Sequence, residues 1–222
     1  MSLEALKRWR IVVPGAILLV YLVPLFLPVI LTRAEANTLL SSASLFGGIA
    51  YLLIATILGT VYYSTRARDL LWKGWVRKAQ SNIKDKMLTA FQHDPPIREA
   101  SPQLRQGKAL IHVLYNFLDR DTSLQQKVKN VYLNGLVASS LIDAQILSTF
   151  FVVVYLIAFL VFGVPLHLIA AVAAWLILVL ASALLVPVTK RHIELGDDQI
   201  DYIMVHYRNE LRVKLSDLAS VS

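Results

Sequence analysis

Residues 145–164 read QILSTFFVVVYLIAFLVFGV, and residues 165–188 follow at once as PLHLIAAVAAWLILVLASALLVPV. Neither stretch holds an Asp, Glu, Lys or Arg. The hydrocarbon core of a bilayer is roughly 30 Å thick and takes about 20 apolar residues at 1.5 Å of helical rise each. Both stretches are long enough. Between them lies Gly163-Val164-Pro165, where proline suits a first helical turn because its missing amide is not needed there. The pair predicts two consecutive membrane-spanning helices joined by a tight turn.

Working outward, residues 11–32 and 42–64 are two more runs free of charge. No soluble domain of 222 residues uses four such segments. The predicted fold is all-α: a polytopic membrane protein with four transmembrane helices, a cytoplasmic helical insert and a C-terminal cytoplasmic helix. The expected divisions are 1–64 (a first transmembrane hairpin, spans 11–32 and 42–64), 65–144 (the insert), 145–188 (a second hairpin, spans 145–164 and 165–188) and 189–222 (the tail). Residues 7–10 and Ala34-Glu35-Ala36 imitate a signal peptide, but the apolar run is too long for one and contains Pro14, Pro24 and Pro28.

Orientation follows from the cations. Of 22 Lys and Arg, Lys7, Arg8 and Arg10 precede the first span, thirteen lie from Arg66 to Lys129, and five follow the fourth span. Arg33 alone falls on the other side. Lys and Arg are retained on the cytoplasmic face, so both termini and the insert are expected there, in a bacterial inner membrane. The net charge of +7 is then a consequence of topology, and direct nucleic-acid binding is not expected. Cysteine is absent, which excludes disulfides, thiolate nucleophiles and Cys-ligated metals.

The insert reads as helices. Trp72, Trp75, Val76, Ala79, Ile83, Met87 and Phe91 recur at steps of three and four, one apolar stripe, in a helix expected to continue the second span without a break. His93-Asp94-Pro95-Pro96 stops it. Ser101-Pro102 looks like the cap and first turn of the next helix, with Leu104, Leu110, Ile111, Leu114, Phe117 and Leu118 inward. Asp119 to Ser123 forms a turn, and a third helix runs on into the third span. After the fourth span, Gly196 is expected to break the chain before a last helix with an apolar stripe of Ile200, Ile203, Met204, Tyr207 and Leu211. Such a helix needs a partner surface, so these residues form a candidate partner-binding helix.

Three further clusters carry potential function. Tyr21, Tyr51, Tyr155 and Trp175 sit near the midpoint of successive spans, where a hydroxyl or indole N–H wants an acceptor. They are expected to point inward as a midplane polar layer. Arg66, Arg68, Lys73, Arg77 and Lys78 form a basic patch under the second span, suited to anionic headgroups at about 1 kcal/mol per charge. Asp197, Asp198 and Asp201 match the DDxxD pattern that chelates magnesium diphosphate in isoprenoid enzymes, but the second acidic motif is missing and acidic residues suit a helix start anyway. Asp143, at the edge of the third span, invites an Arg or Lys from a neighbouring helix. No span holds a charged residue, so carriers that need one at membrane depth lose support. No cofactor and no catalytic residues are expected.

Two spans, a helical insert, two spans and a helical tail resemble the organisation of MotA/TolQ-type stator subunits and, in size and span count, the membrane subunit of the Kiwa antiphage system. The opening Arg8-Trp9-Arg10-Ile11-Val12-Val13-Pro14-Gly15 is similar to the basic-then-Pro-Gly start of small bacterial defence membrane proteins. The Kiwa resemblance implies a non-enzymatic homo-oligomer that senses membrane disturbance and holds a soluble partner at the bilayer. The expected function is accordingly an inner-membrane scaffold or sensor with a cytoplasmic helical platform. An oligomeric channel gated from its cytoplasmic domain is the alternative.

Overall fold

A computed structural model of the chain describes residues 3–31 and 46–221. The loop expected at 32–41 and the start of the second span lie outside these residues. Eight helices follow in order among the described residues: α1 (Leu3–Leu31), α2 (Phe46–Ser64), α3 (Asp69–Thr89), α4 (Pro95–Gln106), α5 (Ala109–Arg120), α6 (Thr122–Phe162), α7 (Pro165–His206) and α8 (Arg208–Val221). The fold is all-α. Three helices are long and apolar enough to cross a membrane: the Ala5–Phe26 part of α1, α6 and α7. The described part of α2 contributes a shorter apolar segment, Ala50–Ser64.

Local chemistry sets the helix ends. Asp121 opens α6, its Oδ1 accepting from the amides of Ser123 (2.7 Å) and Leu124 (3.2 Å), as a capping carboxylate does. Pro95 begins α4 after an extended Asp94. Gly163 takes the left-handed conformation (φ 65°) that glycine adopts without a Cβ penalty, and Pro165 starts α7.

Three boundaries differ from expectation. α2 does not run into α3. The chain breaks at 65–68, where Arg66 has φ 55° and Thr65 Oγ1 donates to the Tyr62 carbonyl at 2.6 Å. Helix α4 begins at Pro95 and passes through Ser101-Pro102, with a break at Gly107 instead. Gly196 does not interrupt α7, which continues to His206. Gly196 is buried there beside Ile83, and a methyl group in its place would make only ordinary contact with that side chain at 3.4 Å.

The chain forms two compact units: residues 1–72 with 136–186, and 73–135 with 187–222. The dividing points fall inside α3, α6 and α7.

In the first unit, α1 and α2 approach at backbone distance. A methyl on Gly15 would lie 1.7 Å from the Ala55 carbonyl oxygen, and one on Gly59 would lie 1.9 Å from that of Ile11. Small residues at such crossings drive helix association in lipid. Tyr21, Tyr62, Leu147, Phe151, Tyr155, Ala170, Ala171 and Ala174 form the unit's core. Its outer surface is apolar, with Leu160, Phe162 and Val186 all at least 70% exposed. Side chains of this kind face lipid in a membrane protein.

In the second unit the core is a closed apolar cluster. Met87, Phe91, Ile97, Leu104, Leu110, Leu114, Phe117 and Leu118 pack with Ile200, Ile203, Leu211 and Leu215. The stripe read in the sequence as a partner-binding helix is covered by this unit itself. Ile200, Ile203 and Leu211 are at most 1% exposed, and Met204 and Tyr207 pack against the same cluster. A helix that cannot stand alone has found its partner surface within the chain.

Candidate functional site

The most constrained polar group of the first unit is an ion pair that is almost wholly buried. Asp143 of α6 is fully buried and Arg68, just before α3, is 8% exposed. Arg68 Nε donates to Asp143 Oδ1 at 2.8 Å and Nη2 donates to Oδ2 at 2.5 Å, the bidentate fork that fits guanidinium to carboxylate. Tyr62 of α2 donates its hydroxyl to the same Oδ1 at 3.0 Å. Three segments are thereby tied at one carboxylate.

Arg68 also repairs a defect in α1. Proline at position 14 has no amide to offer the carbonyl four residues earlier, which is that of Arg10. Arg68 Nη2 donates to this Arg10 carbonyl at 3.2 Å. Arg68 is therefore no part of a lipid-facing patch. Its charge is compensated by Asp143, the kind of partner read for that carboxylate in the sequence. Arg66, Lys73, Arg77 and Lys78 are exposed, as a surface patch requires.

Arg66 is the only described non-glycine residue with positive φ. A side chain in this region costs about 1–2 kcal/mol relative to glycine. The turn is nevertheless well bonded, with the Asp69 amide donating to the Arg66 carbonyl at 2.9 Å. Beyond it, the Arg10 guanidinium lies over the Trp72 ring at 5.9 Å, and that of Arg68 lies over Tyr63 at 5.1 Å, both within cation–π range.

The expected midplane layer divides in two. Tyr21 and Tyr155 are buried and meet: Tyr155 donates its hydroxyl to the Tyr21 carbonyl, and the Tyr21 hydroxyl shares a 2.5 Å hydrogen bond with Ser148. The Tyr21 ring stacks on Phe151 with centroids 5.0 Å apart. Tyr51 and Trp175, by contrast, are 43% and 53% exposed and do not point inward. On α7 the inner face belongs to Ala170, Ala171, Ala174 and Ala181, whose small side chains allow close approach and leave Trp175 on the outer face.

In the second unit the acidic motif is engaged in pairing. Asn82 donates to Asp197 at 2.8 Å, and Lys86 bonds Asp201 at 2.8 Å. No group of three or more potential metal ligands occurs among the described residues. Trp75 donates its indole N–H to Thr189 at 2.9 Å and its ring lies 4.6 Å from that of His192. Asp94 pairs with Arg212 at 2.5 Å and Glu194 with Arg191 at 3.2 Å. His112 is at the surface. Asp121 accepts from the Tyr207 hydroxyl at 2.8 Å and from that of Tyr202 at 3.3 Å. These bonds, Tyr207's above all, hold the Asp121 carboxyl below its ordinary value.

Sequence reasoning missed the Arg68–Asp143–Tyr62 node as a unit and the Gly15–Gly59 crossing. The only signals were an acid at the edge of an apolar run and glycines in two apolar helices. In comparisons with family models, curated proteins and solved structures, nothing matches this chain.

Proposed function

We propose that the protein is a non-enzymatic scaffold or sensor of a bacterial inner membrane, a homo-oligomer that holds its second unit at the bilayer for a soluble partner. α2 completes a set of four spans, and both termini and residues 73–135 lie on the cytoplasmic side with the basic residues. The observation that carries the reading is the contrast within one chain. The first unit turns most of its large apolar side chains outward, while the second buries most of its own, Val205 and Val213 being among the exceptions, and carries ion pairs such as Lys86–Asp201 and Arg120–Glu210 on its surface. A body of the second kind is built for water and for contact with soluble molecules. Antiphage defence is the proposed context, on the organisational resemblance to the Kiwa subunit.

In-cell crosslinking followed by purification of the tagged chain from its native host tests this. A soluble protein recovered at fixed stoichiometry with an oligomer of the chain is the expected result. A lone monomer with no soluble companion would end the reading. The channel alternative loses its lining within one chain, since the Tyr21, Tyr155 and Ser148 hydroxyls bond inside the unit. Reconstituted in planar bilayers, the protein is expected to remain silent.

A further inference from the structure

A cleft of about 480 Å3 opens where α2 ends, lined by Arg10, Tyr63, Ser64, Arg66, Arg68 and Trp72 together with the carboxylate of Asp69. Arg10 of α1 and Arg66 and Arg68 of the turn at 65–68 converge on it. Their roles differ. Arg68 is fixed in the wall by Asp143 and the Arg10 carbonyl. Arg10 and Arg66 supply cationic surface, against the single opposing charge of Asp69.

Two further observations point to a ligand. Arg66 keeps a charged side chain at a backbone conformation (φ 55°) that glycine would adopt without strain, and strained residues of this kind gather at functional sites. Close by in the chain, Val61, Leu70 and Leu71 are exposed, Leu70 at 80%. Cations and a tryptophan in the cleft with bare leucines nearby match a ligand that is anionic at one end and apolar at the other.

We infer that this cleft binds the phosphate ester of an anionic phospholipid, with Arg10 and Arg66 contacting the phosphate and Trp72 lying at headgroup level. The inference rests on the membrane reading of the first unit and not on the platform role of the second. It narrows the basic patch from a helix face to two arginines that are 56 positions apart in the numbering. Arg77 and Lys78 lie outside the cleft and serve as controls.

Native mass spectrometry of the detergent-solubilised full chain tests it, with phosphatidylglycerol, phosphatidic acid or phosphatidylcholine added, and with glycerol 3-phosphate as the headgroup without a tail. The wild type is expected to retain the two anionic lipids over phosphatidylcholine. R10Q/R66Q should weaken that retention tenfold or more, taking about 1 kcal/mol per charge, while R77Q/K78Q leaves it unchanged. Equal retention by wild type and R10Q/R66Q, or an equal loss in R77Q/K78Q, overturns the site. Glycerol 3-phosphate binding as tightly as the lipids supports the phosphate chemistry and overturns the lipid source.

R66G guards against a misfolded double variant. It relaxes the backbone and removes one charge, so thermal stability should hold or rise while anionic-lipid retention falls roughly fivefold. Unchanged retention in a folded R66G protein counts against the site. A chain recovered without detergent would sink the membrane reading before any lipid is added.

Discussion

The two units of this chain solve the same packing problem in opposite ways. The first buries Arg68, Asp143, Tyr62, Tyr21 and Ser148 and exposes leucine, valine and phenylalanine. The second buries Met87, Leu114, Ile203 and Leu215 and leaves its charges at the surface. In water, apolar area drives the core together at about 25 cal/mol per Å2. In lipid that force between helices is gone, and close backbone approach and internal hydrogen bonds replace it. The Gly15–Gly59 crossing and the hydroxyl bonds around Tyr21 are those replacements. On the topology proposed above, each unit carries the signature of its own solvent.

The largest effect that tests the contrast is expected at Asp143. D143N leaves the Arg68 guanidinium buried without its counter-ion, a loss of about 3–5 kcal/mol, read as a fall in thermal midpoint of the detergent-solubilised or nanodisc-embedded protein. R68M/D143L, which removes both charges, should regain most of that loss. A neutral D143N would show that the polar interior of the first unit is incidental.

In the second unit, I203A should cost about 2–5 kcal/mol by emptying a fully packed site. Hydrogen exchange would locate the loss, with amides of α4, α5 and α8 becoming unprotected. A loss confined to the first unit would contradict the division. Smaller again is Y155F, which deletes one buried hydrogen bond in the membrane-spanning region. About 0.5–1.5 kcal/mol is expected, and a larger drop would mean that the hydroxyls contribute more than packing does.

The smallest effect is a pH dependence confined to the second unit. The Asp121 carboxyl is held below its ordinary value of 3.8 by the Tyr207 hydroxyl and the capping amides. A depressed carboxyl contributes stability that is present above the unfolded value and lost as pH falls through the folded one. Wild type and D121N, compared by circular dichroism, should therefore differ by a steady amount above about pH 4 and converge as the pH falls below it through the depressed folded value. A constant offset at every pH would show that Asp121 acts through cap geometry alone.

Much of the architecture could be read from residues because periodicity and hydropathy act locally. The helical runs of the second unit, the inward Leu104, Leu110, Ile111, Leu114, Phe117 and Leu118, and the turn at Gly163-Val164-Pro165 all have short-range causes. What stayed hidden has long-range or conformational causes. Ser64-Thr65-Arg66-Ala67 contains no turn-forming glycine or proline, so the break before α3 had no composition to announce it. Gly196 looked like a stop because glycine weakens an isolated helix, whereas it lies buried inside the continuous α7 beside Ile83. Tyr51 and Trp175 shared depth in their runs with Tyr21 and Tyr155 but not rotation about the axis. The partner of Asp143 lies 75 positions earlier in the chain.

The glycine crossing has a consequence for membrane matching. Backbones this near leave no room for an acyl chain between α1 and α2, so in the proposed four-span arrangement a bilayer would meet the two helices as one stout rod. Thickness adjustment, tilt and local thinning then operate on the pair.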